Sequence, residues 1–198
     1  MEFAKGYRIM GVLFVNACLR GEESRTLELC RQYLSGIEDV EEVDLGRLRL
    51  QPFYGEDVAY RAQLEVAHDY DDPIFDLSKQ FARADEIVIG APYWDLSFPA
   101  ALKVYIEHVS VMDVTFHYTD DAVCEGLCRA RHITYITTCG GKVAGANLGY
   151  EYFCGIARMF GVPEVRFAAA EDLDVVGIDV AAQMAAAAEA VQRLKETR

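Results

Sequence analysis

The chain has 198 residues, enough to bury one hydrophobic core and short for two. Its 32 Asp and Glu outnumber 19 Lys and Arg; the net charge of −13 argues against a nucleic-acid partner but leaves room for a phosphate held by backbone N–H groups and local arginines. Cys18, Cys30, Cys124, Cys128, Cys139 and Cys154 form no Cys-x-x-Cys pair, no secretory signal opens the chain, and no apolar run approaches a membrane span. These features predict a soluble cytoplasmic protein with reduced thiols, no membrane partner and no metal site. Met1–Tyr7 carry no pattern and read as a flexible extension, so one domain is expected over residues 8–198.

Ile9–Val15 is the first apolar run and reads as a central strand. The loop Asn16–Thr26 opens a helix over Ser24–Leu34, with Leu27, Cys30 and Leu34 on one face and Gly36 suited to a left-handed stop. Val40–Leu45 alternates like an outer strand. Gly46–Asp71 is longer than an ordinary connection and carries a helix around Glu56–Ala67; such insertions serve as lids or contact surfaces, or merely decorate the surface. Asp72-Pro73 starts the next helix, with Ile74, Leu77 and Phe81 facing inward. Ile87–Ala91 is a strand covered on both faces, and Pro92 forbids its continuation. After the turn Tyr93–Leu96, Ser97 is placed to cap a helix over Pro99–Met112 whose inner face is Leu102, Tyr105, Ile106, Val109 and Met112. Asp113–Arg131 is a second long connection. Ile133–Thr137 is a central strand, Asn147–Phe160 a helix ended by Gly161 and Pro163, Val165–Ala169 an outer strand, and Val180–Leu194 the last helix. Five alternating β/α repeats predict a doubly wound, three-layer α/β fold with a five-stranded parallel sheet in the order 2-1-3-4-5.

In such sheets ligands bind outside the carboxyl ends of the strands, where three loops carry chemistry. Asn16-Ala-Cys-Leu-Arg-Gly-Glu-Glu-Ser-Arg-Thr26 opens a helix, whose first-turn N–H groups and dipole suit a phosphate, with Ser24 and Thr26 as hydroxyl donors and Arg20 or Arg25 as countercharge. Ser24 alone is equally explained as an N-cap. The loop is neither a Walker loop nor a Gly-x-Gly-x-x-Gly fingerprint, which disfavours a dinucleotide held in Rossmann fashion. Pro92-Tyr-Trp-Asp-Leu96 fixes two aromatics between rigid elements, where they flank a flat ligand or pack as core, and Asp95 fits plain turn chemistry. Thr138-Cys-Gly-Gly141 lets the backbone approach the edge of a heteroaromatic ring.

These loops, together with Leu102-Lys-Val-Tyr-Ile106 and Val114-Thr-Phe-His-Tyr-Thr119, resemble the flavodoxin-like NAD(P)H:quinone oxidoreductase and FMN-dependent NADH azoreductase family over nearly the whole chain. The resemblance implies that Ser24, Arg25 and Thr26 hold the FMN phosphate, with Arg20 and Cys18 beside them. Cys18 stands where the family often has a serine, and a thiol is the poorer donor. Pro92, Tyr93, Trp94, Asp95 and Leu96 would flank the isoalloxazine near N5. Thr138, Cys139, Gly140 and Gly141 would line its pyrimidine edge, with Cys139 where relatives often carry a longer or basic residue. Phe116 and Tyr118 would cover the open flavin face, in a pocket that related enzymes build across a homodimer interface.

The activity implied is two-electron, ping-pong transfer from NADH or NADPH through FMN N5 to a quinone or azo acceptor, with no side chain acting as nucleophile. A flavodoxin-type electron carrier suits the acidic charge, but Phe116 and Tyr118 favour an organic acceptor. A catalytically silent FMN-binding protein is a further reading. A phosphoacceptor signalling domain would need an acidic cluster after the first strand and an aspartate ending the third, where Asn16-Ala-Cys18 and Gly90-Ala-Pro92 stand.

Overall fold

The structure is a computed structural model and describes residues 10–143 and 147–198. Five parallel strands form one sheet: β1 (Met10–Asn16), β2 (Val40–Asp44), β3 (Ala84–Gly90), β6 (Ile133–Thr138) and β7 (Val165–Ala170), ordered β2-β1-β3-β6-β7. Counted along the parallel sheet, that is the expected 2-1-3-4-5 order. A two-stranded hairpin, β4 (Phe116–Tyr118) with β5 (Cys124–Gly126), stands apart from it.

Alternation along the strands separates two apolar layers. Leu13, Val15, Ile87, Ile89 and Tyr135 face α4 (Asp76–Arg83), α5 (Ala100–Val109) and α6 (Leu148–Phe160), whose Phe81, Leu102, Tyr105, Phe153 and Phe160 complete that layer. Val12, Phe14, Val88 and Ile136 face α1 (Arg25–Leu34) and α7 (Val180–Glu196) through Leu27, Cys30, Ala187 and Val191. This covering of both faces is why the central strands read as continuous apolar runs.

Several boundaries differ from the sequence expectation. Ile9 and the extension Met1–Tyr7 lie outside the described residues. Asp72 caps a 3-10 turn, Pro73–Phe75, by accepting from the Ile74 N–H at 2.9 Å, and α4 begins only at Asp76. Ser97 does not cap a helix: Pro99 stands at that position, while Ser97 exchanges backbone hydrogen bonds with Trp94. Helix α5 stops at Val109 rather than Met112, because the Ser110 hydroxyl takes the Ile106 carbonyl at 2.7 Å as the backbone leaves helical angles. In the first insertion, α2 (Leu45–Leu48) precedes α3 (Gly55–Ala67), and α3 buries none of its residues. No helix among the described residues is long and apolar enough to cross a membrane.

Candidate active site

Backbone hydrogen bonds draw the three loops together at the carboxyl edge of the sheet. The Ala17 N–H donates to the Gly90 carbonyl at 2.8 Å, the Ala91 N–H to Ile136 at 3.1 Å and the Tyr93 N–H to Thr138 at 3.0 Å. Thr138 then closes the third side, its hydroxyl 2.7 Å from that of fully buried Thr26. One residue thus touches both the helix-opening loop and the aromatic turn.

In the first loop, Ser24 is the N-cap of α1 and its hydroxyl accepts from the Leu27 N–H at 3.3 Å. The cap leaves the earlier N–H groups of the first turn as the helix's anion-ready end. Arg25 is held back from this end, bonded to Asp174 at 3.2 Å and to the Leu173 carbonyl at 3.4 Å. Arg20 is exposed on the rim. The Cys18 thiol is turned into the core, 4% exposed and 3.5 Å from the Gly90 carbonyl, so it does not point toward a phosphate.

The second loop is a two-residue turn. Trp94 and Ser97 exchange hydrogen bonds of 3.2 and 2.8 Å, and Asp95 and Leu96 between them take φ of 49° and 66°. This is the mirror-image turn that normally selects Asn, Asp or Gly, so Asp95 suits it, while a left-handed leucine costs roughly 1–2 kcal/mol. Trp94 is not core, at 44% exposure, and Leu96 beside it is 53% exposed. A flat apolar surface is therefore presented to solvent between two rigid elements.

The third loop, Thr138–Gly141, is braced by a segment the sequence reading does not single out, Glu171-Asp-Leu-Asp174. Asp172, Leu173 and Asp174 donate backbone hydrogen bonds to Gly141, Cys139 and Gly140 at 2.8, 3.2 and 3.0 Å, and the Glu171 carboxylate accepts from the Val143 N–H at 2.9 Å. The segment follows β7, so the carboxyl-edge rule that located the other loops would also have located this one. Gly140 is required by it: a Cβ there would stand 2.5 Å from the Asp174 carboxylate, whereas Gly141 faces open space. The Cys139 thiol donates to the Gly141 carbonyl at 2.8 Å, and burial first, then Glu171, pushes its pKa up to about 11. A thiol so strongly protonated packs and does not attack.

Phe116 and Tyr118 are not brought to this edge within one chain. Helix α5 runs from the carboxyl edge back to the amino edge, where the hairpin follows it. There Cys128, Arg129 and Arg131 donate backbone hydrogen bonds to Phe160, Ala82 and Asp85. Phe116 stacks on Phe160 with centroids 6.3 Å apart, and Tyr118 projects from it, 59% exposed. A surface hollow of about 400 Å³, lined by Glu22, Glu28, Arg31, Gln32 and Ser35, touches the three loops only at Glu22 and is too charged for a flat apolar ring.

A doubly wound parallel sheet whose carboxyl-edge loops offer an anion-ready helix start and an exposed aromatic turn is the framework of the flavodoxin-like proteins. Residues 10–194 match the family model described as flavodoxin-like fold, and the chain belongs to that family. It is 30% identical over 178 residues to the FMN-dependent NADH:quinone oxidoreductase of Clostridium perfringens, covering 85% of this chain and 89% of that one. The enzyme of the same name from Coprothermobacter proteolyticus is 29% identical over 195 residues, 92% of this chain and 96% of that one. Among solved structures, the azoreductase from Bacillus anthracis strain Sterne superposes with a TM-score of 0.79 at 21% identity, over 96% of this chain and 100% of that one. An FMN-dependent NADH-azoreductase from Bacillus anthracis strain Ames Ancestor, solved with FMN, gives 0.81 at 18% identity over 95% and 98%. The fold expected from the sequence is borne out.

Proposed function

We propose that this protein is an FMN-dependent NAD(P)H oxidoreductase that reduces quinones or azo compounds, working as a homodimer. The observation that carries the reading is the meeting of the three loops at Thr138, hydroxyl to Thr26 and carbonyl to Tyr93. The names of the C. perfringens and C. proteolyticus relatives support the cofactor and the quinone acceptor. The site fits the group: the α1 N-terminus with Ser24 and Thr26 suits a phosphate, exposed Trp94 and Leu96 suit an apolar ring face, and the open space before Gly141 suits a ring edge.

Bound FMN would supply two-electron hydride chemistry at N5, and a ping-pong alternation of NADH or NADPH with the acceptor is expected. The chain's own residues bind and orient. Ser24, Arg25 and Thr26, with Arg20 on the rim, hold the phosphate; Arg25 exchanges Asp174 for it. Pro92–Leu96 fix the ring plane, and Thr138–Gly141 line its edge, although the Cys139 N–H is already given to the Ala170 carbonyl. Because Phe116 and Tyr118 lie at the opposite edge of their own sheet, a second copy must supply the aromatic cover that excludes water.

Purified protein titrated with FMN and FAD tests this by flavin fluorescence and absorption. Stoichiometric FMN, weak FAD and NADH-driven bleaching reversed by a naphthoquinone are expected. Failure to bind FMN overturns the reading.

A further inference from the structure

Two buried thiols meet beneath the loop assigned to the phosphate. Cys18 follows β1 and Cys30 lies on the inner face of α1, at 4% and 0% exposure. Both converge on Gly90: the Cys18 thiol reaches its carbonyl at 3.5 Å, and a Cβ at Gly90 would stand 2.5 Å from the Cys30 sulfur. The two thiols hydrogen-bond each other, and Cys18 has the Ser24 hydroxyl as a further partner. The hydrogen bond from Cys30, helped by that from Ser24, lowers the Cys18 pKa against burial and the nearby Asp44 and Glu42. Burial and the bond to Cys18 drive Cys30 well upward. The two sulfurs thus lie side by side against Gly90, as an oxidisable dithiol requires, with Cys18 the one whose ionisation is eased.

We propose that Cys18 and Cys30 form a peroxide-oxidised disulfide that restrains the loop of residues 18–30 and weakens cofactor binding. The Cys18 thiolate attacks hydrogen peroxide, breaking the O–O bond; it becomes a sulfenic acid, and the leaving hydroxide takes a proton and departs as water. The Cys30 sulfur then attacks the sulfenic sulfur, its proton leaving with the hydroxyl as a second water. Two thiols have lost two electrons to one peroxide. Closing hydrogen-bonded sulfurs to an S–S distance of about 2.05 Å draws α1 and the loop together from below. It also removes the Ser24–Cys18 hydrogen bond and shifts Ser24, which caps α1. Every residue assigned to the phosphate, Arg20, Ser24, Arg25 and Thr26, lies within the ring so formed.

The effect on affinity rests on the FMN reading; the disulfide does not. Protein treated with hydrogen peroxide is alkylated under denaturing conditions, digested and mapped without reduction. Trypsin cuts after Arg20, Arg25 and Arg31, so the two cysteines fall on separate peptides. We expect these peptides to be linked and released by dithiothreitol, with the FMN dissociation constant raised about tenfold on oxidation, the loss of one charge-assisted hydrogen bond, and restored on reduction. Cys30→Ala should bind FMN as the reduced wild type does and form no linked peptide after peroxide, its Cys18 stopping at the sulfenic acid or beyond. Separate alkylation of Cys18 and Cys30 after peroxide overturns the pair, and a disulfide that leaves FMN affinity unchanged overturns the restraint. If reduced protein binds no FMN, the cofactor reading falls and takes the affinity effect with it, while the peptide map still decides the disulfide.

Discussion

Ser24 has two separable duties. Its hydroxyl caps α1 through the Leu27 N–H, and the same position faces the proposed phosphate. Ser24→Ala removes both and should cost about 1 kcal/mol of stability, read as a drop in Tm of a few degrees. Ser24→Asp keeps a good cap and complements the helix dipole but sets a carboxylate against a phosphate dianion. We expect it to melt close to wild type and to bind FMN at least about tenfold more weakly, at the cost of a charge-assisted hydrogen bond; unaltered FMN binding would reduce Ser24 to a helix cap. Leu96 makes the converse case, holding φ at 66° with its side chain 53% exposed. Leu96→Gly should raise urea stability by about 1 kcal/mol, since little burial is lost and the left-handed strain is relieved. If FMN binding weakens at the same time, the strain is kept to present a side chain to the ligand.

The hairpin β4–β5 owes its place to a backbone contact. A Cβ at Gly126 would stand 1.9 Å from the Gly161 nitrogen, and Gly161 itself ends α6 at φ 77°. Gly126→Ala should therefore destabilise by roughly 2–4 kcal/mol, measured by chemical denaturation, because neither backbone can retreat. This hairpin also marks where sequence reading stops. The strands were legible because Val12–Val15, Ile87–Ile89 and Ile133–Ile136 are buried on both faces, and the three loops were legible because each follows such a run. Strand β3 starts earlier than its apolar run because buried Glu86 breaks the pattern, and its partner Arg198 lies 112 residues away. Ser97 looked like a cap because the backbone pairing that claims it depends on a left-handed Leu96 that no propensity predicts. Phe116 and Tyr118 read as neighbours of the site from sequence, yet the direction of α5 carries them to the far edge.

At the scale of the whole molecule, Glu86 ties four elements together. Its carboxylate takes the Tyr33 hydroxyl of α1 at 2.6 Å and the Arg198 guanidinium beyond α7 at 2.5 Å, and lies 3.3 Å from His132 before β6. Burial alone would raise its pKa, but neighbouring His132 and the hydrogen bonds from Tyr33 and Arg198 together outweigh burial and hold it down at about 2. A depressed carboxylate stabilises the fold above its unfolded pKa and loses that contribution as pH falls toward the folded value. Urea stability should thus decline between about pH 4.5 and 2 by at most about 3 kcal/mol on this account, and Glu86→Gln should be less stable at pH 7 with a flatter acid limb. A flat limb in the wild type would show that the network is not charged.

The opposite-edge placement of Phe116 and Tyr118 makes the assembly itself testable. Light scattering should give a homodimer at micromolar concentration, since a monomer leaves the proposed ring face uncovered. Tyr118→Ala should raise KM for a naphthoquinone several-fold, the scale of an aromatic stacking contact of about 0.5–1.5 kcal/mol, while flavin reduction by NADH changes less. Loss of stability with both stopped-flow half-reactions intact would instead make Tyr118 a packing residue. Mixing decides whose site it covers. In a heterodimer of one Tyr118→Ala and one Ser24→Asp subunit, the subunit with an intact phosphate loop meets a partner that still carries Tyr118. If the cover comes from the partner, that site is complete, and at FMN concentrations too low to load the Ser24→Asp loop the mixture should regain the wild-type KM that the Tyr118→Ala homodimer lacks. If Tyr118 serves its own chain, the only FMN-competent site still lacks it, and the raised KM should persist.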